Sequence, residues 1–83
     1  MNIYYTRKSA IELENLSRSV QKRIIDKMRF YVTQKNPLKF AKRLTDYNEG
    51  EYRFRIGDYR IIFDVMNNII YVLKVDKRDK VYD

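Results

Sequence analysis

Residues 51–65 read EYRFRIGDYRIIFDV and have the pattern of a β-hairpin. Apolar and polar side chains alternate on both sides of Gly57-Asp58, which is typical of strands that bury one face. The Gly-Asp pair suits a two-residue type II′ turn, in which glycine takes the first central position. A turn of this length fixes the register and places Arg55 directly opposite Arg60.

The predicted register puts three arginines, Arg53, Arg55 and Arg60, on one face of the sheet. Like charges directly opposite one another destabilise a sheet by roughly 0.2–1 kcal/mol. A solvated surface would explain a single arginine, but three with no carboxylate expected between them favour a site for a polyanion. The planar guanidinium suits phosphate in particular.

The composition indicates a small basic domain and excludes several kinds of chemistry. The chain has 83 residues, a formal net charge of +7 and a hydrophobic content of 45%, so we expect one domain over residues 1–83. It contains no cysteine and no histidine. Since histidine is both the commonest metal ligand and the commonest acid–base catalyst, we expect neither metal nor cofactor. A basic domain favours nucleic acid, a phosphate-rich surface or an acidic protein. Without a long apolar run or a signal peptide, we expect a cytoplasmic protein.

The rest of the chain predicts two helices and two further strands. The predicted elements are a strand over residues 2–6, a helix over 9–16, a helix over 20–35, a loop over 45–50 and a last strand over 69–75. Ser9 or Thr6 is expected to cap the first helix, and Ser17-Arg18-Ser19 supplies a break and the N-cap of the second. Residues 38–44 have an ambiguous pattern, either a helical turn or an irregular crossing segment. Asn67-Asn68 predicts a tight turn, because asparagine tolerates positive φ.

These elements predict an α+β fold in the order β-α-α-β-β-β, an antiparallel sheet with a helical hairpin packed on one face. The apolar residues of the β-hairpin should meet the helices, and its arginines should lie on the other face. The last strand is apolar on both faces, which favours a central position or a cover on the second face.

Three segments make the chain resemble the RelE/ParE toxin superfamily, and specifically its RelE branch. They are LKFAKRL at residues 38–44, YRFRIGDYRIIFDV at 52–65 and VDKRDKVY at 75–82. The last contains a basic pair followed by a tyrosine near the C-terminus, as in the family. The resemblance covers nearly the whole chain and implies a RelE-like fold.

The resemblance implies the toxin of a type II toxin–antitoxin system. The implied activity is metal-independent cleavage of mRNA, in many members within the ribosomal A site, by attack of the 2′-hydroxyl that leaves a 2′,3′-cyclic phosphate. The implied partners are mRNA, the ribosome and a cognate antitoxin in a hetero-oligomer, with no membrane. Two alternatives stay open: a ParE-like toxin that inhibits DNA gyrase without nuclease activity, and a non-catalytic RNA-binding module.

The resemblance also implies roles for individual residues. Arg60 and Arg78 are candidates to bind the scissile phosphate and stabilise its developing charge. Arg55 would bind the RNA backbone. Tyr82 would stack on or orient a base, although it could instead be a packing anchor. The predicted catalytic residues are thus Arg60, Arg78, Tyr82 and Arg55, and the predicted RNA-binding residues are Arg53, Lys77 and Lys80.

The general base stays open at this point. Several relatives carry lysine in the second strand where this chain has Arg53 and Arg55, and a guanidinium stays protonated and is therefore a poor base. The remaining alternatives are a ribosomal group, no strong base at all, or one of Lys77, Lys80, Glu49 and Glu51.

Overall fold

The structure is a computed structural model that describes residues 1–45 and 48–77. Its elements are β1 (Asn2–Tyr5), α1 (Arg7–Glu14), α2 (Arg18–Thr33), a 3₁₀ turn (Pro37–Phe40), β2 (Lys42–Arg43), β3 (Tyr52–Ile56), β4 (Tyr59–Met66) and β5 (Ile69–Lys77). The predicted α+β class and element order are confirmed, and the two-residue β2 is an addition. Within the described ranges, no helix is long and apolar enough to cross a membrane.

The strands form one five-stranded sheet in the order β1-β5-β4-β3-β2. Strands β3 to β5 pair antiparallel as expected, and β2 also pairs antiparallel with β3, but β1 pairs parallel with β5, with Asn2 opposite Ile69. The expectation of a wholly antiparallel sheet was therefore wrong at this edge. The helical pair returns the chain to the sheet running opposite to β1, and three further reversals bring β5 parallel to β1.

The β3–β4 hairpin has the register that its turn predicts. Arg55 lies opposite Arg60 and Phe54 lies opposite Ile61. Gly57 has a φ of 59°, the left-handed value that the first central position of a type II′ turn requires. The second turn also follows its sequence, since both Asn67 and Asn68 have positive φ.

Side-chain caps set the starts of both helices. The Thr6 hydroxyl accepts from the Ser9 backbone N–H at 3.2 Å, so Thr6 is the cap of α1. Ser9 is fully buried and its own hydroxyl donates to the Thr6 carbonyl, which excludes Ser9 as the cap. Ser17 caps α2 by accepting from the Val20 N–H, so the helix begins at Arg18, two residues earlier than predicted.

A continuous stack of aromatic rings joins the helices to the sheet. Tyr31 of α2 stacks on Phe54 of β3 with ring centroids 4.3 Å apart, and Phe54 stacks on Phe63 of β4 at 4.5 Å. Phe40 and Tyr52 extend the stack at its two ends. The predicted packing of the apolar hairpin face against the helices is thereby confirmed.

A β-bulge shifts the pairing between β4 and β5. Ile62 lies opposite Lys74 and Phe63 lies opposite Val72, which leaves Leu73 as the extra residue. Ile62 lies on the face away from the helices and is nevertheless fully buried. Gly50 covers it so closely that a Cβ at this glycine would lie 2.7 Å from Ile62 Cγ2. The same Cβ would lie 3.2 Å from Leu73 Cδ1 of β5, so the last strand has both an inner position in the sheet and a cover on its second face, as its apolar pattern favoured.

Candidate functional site

The sheet face opposite the helices carries the three predicted arginines, and we call it the arginine face. Arg53 and Arg55 lie on β3, and Arg60 lies across from Arg55 on β4. Arg55 is exposed, whereas Arg53 and Arg60 are half-buried. Lys42 of β2 lies opposite Arg53 and adds another cation to this face. The predicted convergence of the arginines on one face is confirmed.

Arg60 forms a bidentate ion pair with Asp76, which lies directly opposite it on β5. Its Nε donates to Asp76 Oδ1 at 3.0 Å and its Nη2 donates to Oδ2 at 2.9 Å. The expectation that no carboxylate lies among the arginines was therefore wrong. It considered the hairpin alone, and Asp76 comes from the next strand.

Two more charged residues complete this group, which we call the Arg60 cluster: Arg60, Asp76, Lys74 and Glu49. Lys74 Nζ lies 2.9 Å from Glu49 Oε2 and 3.3 Å from Asp76 Oδ2. Arg60 Nη1 lies 3.7 Å from Glu49 Oε1. Two cations and two carboxylates share the cluster, so their formal charges cancel.

The cluster stabilises the ionised forms of Asp76 and Lys74. Burial raises the pKa of Asp76, but the hydrogen bonds and positive charges of Arg60 and Lys74 outweigh burial and hold that pKa below its usual value. The hydrogen bond with Glu49 is the main cause of a raised pKa at Lys74, although burial opposes it. Because the bidentate pair fixes the plane of the guanidinium, Arg60 is held in one orientation.

The ion pair predicts a loss of stability in acid. The pKa of Asp76 in the folded protein lies below its ordinary value of 3.8, so its contribution is present above that pH and is lost as the pH falls through the folded value. We expect Asp76→Asn to lower the free energy of unfolding near neutral pH. The difference from the wild type should shrink as the pH falls below about 4.

Chemical denaturation at a series of pH values measures this difference. Asp26→Asn is the matched control, because Asp26 forms a more exposed pair with Lys22 on α2. A difference between the wild type and Asp76→Asn that does not shrink as the pH is lowered below about 4 would contradict the assignment.

A short segment, residues 48–51, crosses the arginine face and carries Glu49 into the cluster. Two hydrogen bonds hold it to β4: the Glu51 N–H donates to Asp64 Oδ1 at 2.9 Å, and the Val65 N–H donates to Glu51 Oε1 at 3.1 Å. Of the two glutamates considered as general bases, Glu51 is therefore bound to the backbone, whereas Glu49 contacts the cations.

The remaining predicted site residues fall outside this face or outside the described ranges. Lys77 is exposed and lies opposite Tyr59 at the end of β5, so its position is on the helix-covered face, away from Arg60. Arg78, Lys80 and Tyr82 lie outside the residues that the structure describes, and their roles stay predictions. Sequence reasoning did not find Lys74 or Asp76.

The comparisons with known proteins agree with this fold. Residues 3–82 match the family model of the ParE toxin of type II toxin–antitoxin systems, parDE. Because the match spans nearly the whole chain, the protein belongs to this family of toxins, and its membership of the RelE/ParE superfamily is confirmed. A comparison with curated proteins gives no significant match.

Two solved structures are similar in fold. One is the toxin–antitoxin complex RelBE2 from Mycobacterium tuberculosis, with a TM-score of 0.77 and 22% identity over 93% of this chain and 96% of that chain. The other is the archaeal RelE-RelB complex from Pyrococcus horikoshii OT3, with a TM-score of 0.73 and 24% identity over 95% of this chain and 96% of that chain. The chain is thus a type II toxin with a RelE-like fold.

Proposed function

We propose that this toxin is a metal-independent endoribonuclease that binds mRNA along the arginine face and cuts it in the ribosomal A site. The observation that carries the proposal is the exposed Arg55 directly opposite Arg60. Two guanidiniums in this position repel each other, and Asp76 offsets the charge of Arg60 alone. A phosphodiester bound between them would turn the repulsion into attraction.

The proposed chemistry is in-line attack of a 2′-oxygen on the adjacent phosphorus. The new P–O bond forms a 2′,3′-cyclic phosphate while the bond to the 5′-oxygen breaks, and that oxygen takes up a proton. Negative charge grows on the phosphoryl oxygens, where Arg60 would donate to them. Since Asp76 already orients the guanidinium, little reorganisation is needed when the charge develops.

The other residues of the proposed site bind and position the strand. Arg55 and Arg53 would bind neighbouring phosphates, and Arg78 and Tyr82 keep the roles that the family resemblance implies. The 2′-hydroxyl proton needs an acceptor, and the arginines are excluded because they stay protonated. Of the side chains in the Arg60 cluster, Glu49 is the more exposed carboxylate.

The proposed partner is a cognate antitoxin. The two solved structures described above are toxin–antitoxin complexes, and a net charge of +7 favours an acidic partner. We expect a helical segment of the antitoxin, with acidic and apolar residues, to cover the arginine face of the toxin or to displace the toxin's C-terminal tail. A complex that leaves the arginine face open to solvent would contradict the first of these modes.

A second candidate function is ParE-like inhibition of DNA gyrase without RNA cleavage. Two observations favour it: the matching family model is that of ParE toxins, and the formal charges of the Arg60 cluster cancel. In this alternative the arginine face would contact a protein target and not a nucleic-acid strand.

Mapping of mRNA 5′ ends in cells that express the chain separates these functions. We expect new 5′ ends within coding regions and a halt in translation, and both should be lost in the double variant Arg55→Ala/Arg60→Ala. The control Lys8→Ala/Arg18→Ala removes the same charge from exposed helix positions. DNA damage signalling with intact mRNA would favour the gyrase alternative, and RNA binding without cleavage would indicate a non-catalytic module.

A further inference from the structure

The Glu49 carboxylate lies between two cations of the arginine face. One of its oxygens is 2.9 Å from Lys74 Nζ and the other is 3.7 Å from Arg60 Nη1. An oxyanion with two oxygens that each face a different cation is also how a phosphate group binds to basic side chains. The Glu49 carboxylate therefore lies where a phosphodiester bound to these two cations would lie, and it carries the same negative charge.

We propose that Lys74 and Arg60 form a binding site for an RNA phosphodiester, and that Glu49 of the same chain occupies this site until RNA displaces it. The inference rests on the proposed RNA-cleaving function and extends it in two ways. It assigns phosphate binding to Lys74, which no sequence pattern indicated, and it makes Glu49 an internal competitor of the substrate.

The two carboxylates of the cluster differ in how firmly they are held. Asp76 lies within β5 and makes two hydrogen bonds to Arg60 at 2.9 and 3.0 Å. Glu49 lies outside the strands, its side chain is 38% exposed against 26% for Asp76, and its contact with Arg60 is longer, at 3.7 Å. Glu49 is therefore the carboxylate that a phosphate can replace, while Asp76 keeps Arg60 in place.

Displacement of Glu49 would leave the rest of its segment in place. The segment is held to β4 by the reciprocal hydrogen bonds of Glu51 with Val65 and of Asp64 with Glu51, which do not involve the Glu49 side chain. The exchange also leaves both cations paired, since one anion replaces another. The released carboxylate moves into solvent, where its charge is well hydrated.

The variant Glu49→Gln tests the inference, because it keeps the size of the side chain and removes the competing charge. The probe is a ten-nucleotide 2′-O-methyl RNA, which has no 2′-hydroxyl and so reports binding without cleavage. We expect Glu49→Gln to bind it about tenfold more tightly than the wild type.

Matched variants separate a site-specific effect from a change in net charge. Glu14→Gln makes the same charge change at an exposed position of α1 and should raise the affinity much less. Lys74→Gln should weaken binding about tenfold, whereas Lys8→Gln on α1 should have a small effect. If Glu49→Gln does not fold, as judged by circular dichroism, the comparison of Lys74→Gln with Lys8→Gln decides the question. Equal effects within either pair would overturn the inference.

Orthophosphate is the second probe, and it separates this inference from the proposed function. Titration into ¹⁵N-labelled Glu49→Gln should shift the backbone amide resonances of Lys74 and Arg60 at lower concentration than in the wild type. If orthophosphate binds in this way but the wild-type protein cuts no RNA, the anion site is supported and the proposed nuclease function is wrong. Amide resonances of Lys74 that do not respond to orthophosphate in Glu49→Gln would overturn the anion site itself.

Discussion

Arg60→Ala is expected to lower the rate of RNA cleavage by about 10²–10³, the effect of removing one preoriented donor from a developing oxyanion. Asp76 holds the Arg60 guanidinium through two hydrogen bonds, so its orientation is set before RNA binds. Arg60→Lys keeps the charge but cannot make the same bidentate contact. We expect its cleavage rate to lie between those of the wild type and Arg60→Ala.

Single-turnover cleavage of an RNA oligonucleotide measures this effect directly. Binding should change much less than the rate, because Arg55 and Lys74 still contribute positive charge to the face. Arg18→Ala, at the exposed start of α2, removes the same charge and should cleave at nearly the wild-type rate. Were Arg60→Ala to cleave within about threefold of the wild type, Arg60 would have no direct role in the chemistry.

Phe54→Ala is expected to lower the free energy of unfolding by about 3–5 kcal/mol, the usual cost of removing a buried aromatic ring. Phe54 is fully buried, and its ring stacks on Tyr31 from the helices and on Phe63 from the sheet. Its loss would leave a cavity at the contact between the two layers. Small domains have a total stability of about 5–15 kcal/mol, so this variant should be partly unfolded at moderate temperature.

Urea denaturation followed by circular dichroism compares Phe54→Ala with two other variants. Phe40→Ala removes a ring at the end of the same stack, where the residue is 42% exposed, and should cost far less. Phe54→Leu retains most of the buried apolar area, so its loss in the free energy of unfolding should lie between those of Phe40→Ala and Phe54→Ala. Equal losses for Phe54→Ala and Phe40→Ala would show that the stack does not depend on its central ring.

Local sequence chemistry was sufficient to predict the elements that are fixed by short-range interactions. A two-residue turn at Gly57 determined the β3–β4 register, and the polar residues 17–19 indicated the break before α2, although the helix begins two residues earlier than predicted. The direction of β1 was not predictable in the same way, because a four-residue strand has no turn that ties it to its neighbour. Its pairing depends on the path of the whole chain.

The arginine face followed from the hairpin register, but the Arg60 cluster did not. The Asn67-Asn68 turn alone would have placed Arg60 opposite Val75, and the extra residue Leu73 shifts the pairing so that Asp76 lies there instead. The buried residues Ile70, Val72 and Val75 break strict alternation, but the sequence does not reveal this, because residues 69–75 are apolar at most positions. Glu49 could not have been placed, because it enters from a loop.

The pairing of β1 with β5 joins the two ends of the described chain and determines when the sheet can be completed during synthesis. As the polypeptide leaves the ribosome, residues 2–5 have no strand to pair with until residues 69–72 emerge. Contacts between such distant segments form slowly, because the long intervening chain must close first. Asp76, which orients Arg60, is on this same late strand. The nascent chain therefore cannot complete its sheet, or place Asp76 beside Arg60, until this last strand has emerged.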